Sequence, residues 1–244
     1  MMSIVIDLLL IAIVAYCGWQ GLKHGLLNSA FGIVALVAAI FIGHLVGVVY
    51  SDEFSGMLQP FAGGLVDTAV GTVTDYEPGK TTPAGEPLEE PVVILTTSEK
   101  QDVYSVSFAA LRQIGISEDA AEEIATEVAD QQLTVNQDMT TALSSNLCGR
   151  LGYLAVTVIV FAIVAIIAAI IGNVMNLYFK LPNLETVNKV SGSVLGVFKG
   201  IIIIMLIACA CRYLGLILGS KTISGTWLLE HLINHNKLAS ILGI

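Results

Sequence analysis

From Leu26 to Ser51, and again from Leu151 to Phe179, the sequence runs without an Asp, Glu, Lys or Arg. Roughly 20 residues of helix cross a bilayer core, so each run predicts a membrane span. A third run, Gly192 to Cys211, is interrupted only by Lys199 and ends at Arg212 and Tyr213, residues suited to anchoring a helix end at the interface. The fourth, Ile4 to Trp19, is shorter and contains Asp7. It lacks the basic start and small-residue cleavage site of a signal peptide, so it too reads as a span. The pattern predicts an all-α integral membrane protein with four transmembrane helices in two hairpins, residues 1–50 and 150–220.

Residues 51–149 are too polar to enter the bilayer. Phe54, Leu58, Phe61 and Leu65 repeat at three and four residues, which predicts an amphipathic helix on the membrane surface or against the bundle. Near 76–91, Pro78, Pro83, Pro87 and Pro91 forbid a regular element and predict a linker. Two short helices follow, about Asp102 to Ile114 and Glu118 to Leu133. Ser117 is placed to cap the second, and Glu118 and Asp119 suit its positive first turn. Its apolar stripe, Ala121, Ile124 and Val128, needs a covering surface from within the insert or from another protein. Residues 221–244 set Leu228, Leu232, Leu238, Ile241 and Leu242 among Glu230, His231, His235 and Lys237, the pattern of an interfacial helix.

Composition agrees with the spans: of 244 residues, 55% are hydrophobic and 13% charged, and the mean hydropathy is +0.80. An ordinary soluble domain carries about 25% charged residues, so that class is excluded. Charge is divided unevenly. Residues 51–149 hold seventeen acids against three bases, and the rest of the chain holds three acids against eight bases. An acidic block of this kind repels nucleic acid. Lys23 with His24, and Lys180 with Lys189, mark the two short loops as cytoplasmic by the positive-inside bias. Both termini and residues 51–149 are then extracytoplasmic, with Arg212, Lys221 and Lys237 running counter.

Small residues recur every four positions: Ala35, Ala39, Gly43 and Gly47 in the second span, Gly192, Gly196 and Gly200 in the fourth. Such faces let helix backbones approach closely, within one bundle or between copies of the chain. Gly18, Gly21 and Gly25 around Lys23 read as a tight cytoplasmic turn. Asp7, Lys199 and Arg212 are costly in or beside apolar spans unless paired or able to reach water. The assigned topology puts Asp7 near the depth of Arg212, so a pair is expected. Lys199 can snorkel to the cytoplasmic interface, and a role in an ion path is the rival reading. Cys17, Cys148, Cys209 and Cys211 form no disulfide framework. His231 and His235 have the spacing of a zinc pair but no evident third ligand. No nucleophile, base or phosphate loop has a recognisable context, so neither an enzyme, a cofactor nor a metal site is expected.

Asp7, the turn Gly18-Trp19-Gln20-Gly21-Leu22-Lys23-His24-Gly25-Leu26, and the stretch Leu181-Pro182-Asn183-Leu184 through Asn188 to Gly192, Gly196, Lys199 and Gly200 together resemble the CvpA family, the colicin V production proteins of bacteria. The resemblance covers the spans and not the acidic insert. It implies a multi-pass protein of the bacterial cytoplasmic membrane, tied to toxin biosynthesis or envelope maintenance and bringing no enzymatic activity. The partners expected are the lipid bilayer, further copies of the chain through the small-residue faces, and envelope or export proteins meeting the acidic insert. An oligomeric channel or transporter subunit is the alternative.

Overall fold

The computed structural model describes residues 2–77, 90–135, 138–178, 185–213 and 226–234. Most of the proline-rich linker, Lys180 with the Leu181 to Leu184 motif, and Lys221, His235 and Lys237 lie outside them. About nine-tenths of the described residues are helical and none is in a strand. The elements are α1 (Met2–Asp75), a 3-10 turn (Glu99–Gln101), α2 (Val103–Ile114), α3 (Glu118–Val135), α4 (Met139–Tyr178), α5 (Glu185–Cys211) and α6 (Trp227–Asn234). Three of these helices hold segments long and apolar enough to cross a membrane: Ser3–Asp75, Met139–Gly172 and Thr186–Cys211. The chain divides into two compact units. One is Met1–Tyr50 with Tyr153–Ala210 and Gly225–Ile244, and the other is Ser51–Gly152 with Cys211–Ser224.

In the first unit α1 is broken at Gly25, whose backbone (φ 79°, ψ −177°) is open to glycine and strained for residues with a Cβ. The break leaves the amide of Leu26 without a helical partner, and the side-chain oxygen of Asn188 accepts it at 2.7 Å. Gly18 and Gly21 are helical, contrary to the turn expected of them: the reversal needs only one special residue. Their bareness serves packing instead. A Cβ on Gly21 would collide with the Gly192 carbonyl, and one on Gly18 would sit 2.9 Å from Val197 Cγ2. Gly196 faces the Cys17 carbonyl, and a Cβ on Gly200 would lie 2.9 Å from Val14 Cα. As α5 advances from 192 to 200, its neighbours recede from 21 to 14. Beyond Gly25 the order is opposite, with Leu26 at Asn188 and Gly32 at Lys199. The two arms of α1 therefore run in opposite senses along α5.

The second arm meets α4 in the same way. Backbone and side chain of Thr157 lie against Gly43 and Gly47, and a Cβ on Gly43 would be 3.0 Å from the Thr157 carbonyl. The side chains left outside are large and apolar: Ile4 is 71% exposed, Phe41 62% and Ile166 61%. Such a surface suits hydrocarbon and not water.

The second unit has the reverse pattern, with a core of small and branched side chains under an acidic exterior. Ala62, Val66, Ala69 and Val73 of α1 are buried, as are Val106, Ala109, Ala110 and Leu111 of α2, Ala121, Ile124 and Val128 of α3, and Leu143 and Leu147 of α4. The stripe on α3 is thus covered within the insert. The expected separate helix through Phe54, Leu58, Phe61 and Leu65 is instead a continuation of α1 across Pro60. Phe61 remains 62% exposed. The buried face is the neighbouring stripe, whose small side chains permit closer helix contact.

Local chemistry fixes the ends of these helices. Asp102 caps α2 by accepting the Ser105 amide at 3.1 Å, and bonds to Ser105 hold its carboxyl below the usual range. Gly115 ends α2 in the left-handed region at φ 100°. Lys100 Nζ donates to the carbonyls of Thr74 (2.7 Å) and Tyr76 (2.6 Å), neutralising the last turn of α1. Ser117 does not cap α3 with its hydroxyl. Its amide donates to the Arg212 carbonyl at 3.0 Å, and its buried Oγ has no hydrogen-bond partner among the described residues. The α4 helix begins twelve residues before the expected span, and residues 211–213 belong with this unit rather than with the spans.

The glycine contacts yield a paired prediction. Gly196→Leu drives a side chain into backbone that cannot move aside and should cost about 3 kcal/mol of stability. Gly64→Leu, where a Cβ meets nothing within 4 Å, should change little or gain up to about 1 kcal/mol of helix propensity. Thermal unfolding followed by helical circular dichroism in nanodiscs measures both.

Candidate functional site

Lys199 is half-buried on α5, where it meets both arms of α1. Its ammonium lies against the bare backbone of Gly32, 3.3 Å from where a Cβ would stand. Around it is a cavity of ≈ 350 Å³ whose lining mixes the polar Gln20, His24 and Asn28 with Phe31, Leu36, Phe161 and alanines of α4. A smaller pocket adjoins it through Cys17, Ser29 and Gly196. His24 Nδ1 lies 2.9 Å from the Gln20 carbonyl. A carbonyl only accepts, so Nδ1 carries the proton and Nε2 is the acceptor of the neutral ring. Gln20 donates to the Tyr16 hydroxyl at 3.1 Å. This places Lys199 among polar groups contributed by α1, an arrangement that neither the snorkelling nor the ion-path reading specified. Ala35 also lines the cavity, while Ala39 is fully buried.

Asp7 has a different partner from the one expected. Its carboxylate accepts the amides of Trp227 (2.9 Å), Leu228 (3.2 Å) and Leu229 (3.4 Å), the exposed donors at the start of α6. A helix N-terminus presents unsatisfied amides and a partial positive charge, which suits a carboxylate in an apolar setting. Arg212 lies with the second unit, 7% exposed, and its recorded carboxylate partner is Asp119 at 4.0 Å. Lys23 sits 3.7 Å over the Trp19 ring, as an amphipathic pair at a helix end does.

A second intramembrane pair escaped the charge-based reading. His44 Nδ1 and the Tyr153 hydroxyl are 2.6 Å apart, with their rings edge to face. Counting only Asp, Glu, Lys and Arg passes over His44, Gln20 and Asn28. The available signal was the recurrence of Gln20, His24 and Asn28 at four-residue spacing. Among the described residues no cluster of three or more His, Cys, Asp or Glu could hold a metal, and His231 is described without His235.

Residues 134–237 match the family model for colicin V production protein. That stretch is similar to the colicin V production proteins. It takes in α4, α5 and α6, and with them Gly192, Gly196, Lys199 and Gly200. The first arm of α1, with Asp7 and the Gly18 to Gly25 segment, lies outside the matched range. Comparison with curated proteins and with solved structures gives no match. The matched stretch therefore supplies the cation of the cavity, while Gln20, His24 and Asn28 lie outside it.

The Asp7 contacts make a local prediction. Asp7→Ala removes the cap and should cost about 1 kcal/mol at α6. Hydrogen exchange of the 227–234 amides should accelerate about fivefold, with the α3 amides unchanged.

Proposed function

We propose that this chain is a non-enzymatic, four-span protein of the bacterial cytoplasmic membrane that assists toxin biosynthesis or export, or envelope maintenance, by scaffolding other components. The observation that carries the reading is the colicin V production match to the helices that pack on α1. In this reading the arms of α1 on either side of Gly25 are the first two spans, and α4 and α5 supply the other two. Residues 51–149 and both termini face outward, and the acidic unit meets partners there. Its support is an insert with its own buried core, which leaves its acids on the surface. The second reading is an oligomeric channel or transporter subunit, and the cavity beside Lys199 is the observation that favours it.

Native mass spectrometry of the chain released from nanodiscs separates the two. A single copy carrying another envelope protein is the expected result for the scaffold. A closed ring of copies would replace it with the channel, which liposome flux would then test.

A further inference from the structure

The cavity at Lys199 holds an ammonium in a place where charge is costly. Asp7 is the only carboxylate with a described side chain in this unit, and its oxygens are taken by the amides of α6. Lys199 has no ion pair or hydrogen bond among the described residues. An ammonium within an apolar bundle needs water or an anion. The walls favour an anion with a tail. Gln20, His24 and Asn28 supply polar groups to the lining, and Phe31, Phe161, Ala165 and Ala168 supply apolar surface. A volume of ≈ 350 Å³ falls within the range of ligand sites, about 300–1,000 Å³, though it is too small for a whole phospholipid. It has room for a headgroup and the start of one chain. The outer faces of the same helices are apolar, so the surrounding medium is itself the source of such a molecule.

We propose that this cavity binds the anionic group of an acyl-chain amphiphile drawn from the membrane, with Lys199 as its counter-ion and the Phe31, Phe161 and Ala168 wall holding the first part of the chain. A lipid phosphate and a fatty-acid carboxylate share that chemistry. The inference rests on these helices lying in a membrane, and not on the scaffolding role.

The test is native mass spectrometry of the full chain from zwitterionic phosphatidylcholine nanodiscs doped with phosphatidylglycerol, with oleate, or exposed to inorganic phosphate. The wild-type chain should retain one phosphatidylglycerol or one oleate, and which it retains better identifies the source. Lys199→Gln should lower that retention about tenfold, while Lys199→Arg keeps most of it. Lys189→Gln, an exposed change on the same helix, should leave it unaltered. Ala168→Leu keeps the charge and narrows the apolar wall, so it should reduce retention of both amphiphiles without altering helical circular dichroism. Equal retention by the wild type and Lys199→Gln would overturn the proposal, as would equal losses from Lys189→Gln and Lys199→Gln. Binding of inorganic phosphate without either amphiphile would also overturn it.

Discussion

The membrane unit depends on one contact: the bare face of α5 at Gly192, Gly196 and Gly200 against the backbone of α1 between Val14 and Gly25. In lipid there is no gain from hiding apolar side chains from apolar solvent, so association depends on close packing and on hydrogen bonds. Glycine on both sides brings main chain to main chain. That approach also carries Asn188 to the break at Gly25, where it satisfies the amide of Leu26. Three residues past Gly196, on the same helix, it sets Lys199 between the arms of α1. A methyl group at Gly196 would disturb the turn and the cavity together.

The two units obey the same rule of burial under opposite solvents. In the membrane unit, many large apolar side chains point outward, and glycines stand where helix backbones touch. In the acidic unit, alanine and branched side chains form the core while carboxylates stay outside. Its ion pairs add little at the surface, as with Arg150 to Glu123 at 2.8 Å, where both side chains remain partly exposed. Its caps do more to define it, because each satisfies a helix end that would otherwise be left open. Asp7 applies the same device within the membrane unit, where an unpaired carboxylate or a bare helix end would be costly.

Much of this was legible in the sequence. Uncharged runs located the apolar helices, and the pattern of apolar and acidic residues located α2 and α3 to within two residues. Pairing was harder to read. Asp7 and Arg212 look complementary by charge, yet backbone amides compete for a carboxylate as well as a guanidinium does, and no sequence pattern records them. The Phe54 to Leu65 stripe misled for a related reason. Periodicity reports which residues share a face, not which face is covered, and small side chains at Ala62, Val66 and Ala69 pack more closely than phenylalanines. The Lys199 cavity was half visible: the lysine stood out, but its neighbours Gln20, His24 and Asn28 are uncharged or nearly so and come from another helix.

The most direct test of the central contact is a disulfide between Gly18→Cys and Val197→Cys in a chain whose four native cysteines are serine. A Cβ at position 18 would lie 2.9 Å from Val197 Cγ2, so the two positions face each other closely, as a disulfide requires. Oxidation in native membranes should give a cross-link within a single chain, seen as a faster-migrating monomer on non-reducing electrophoresis. A cross-linked dimer, or no cross-link at all, would contradict this arrangement of α1 and α5.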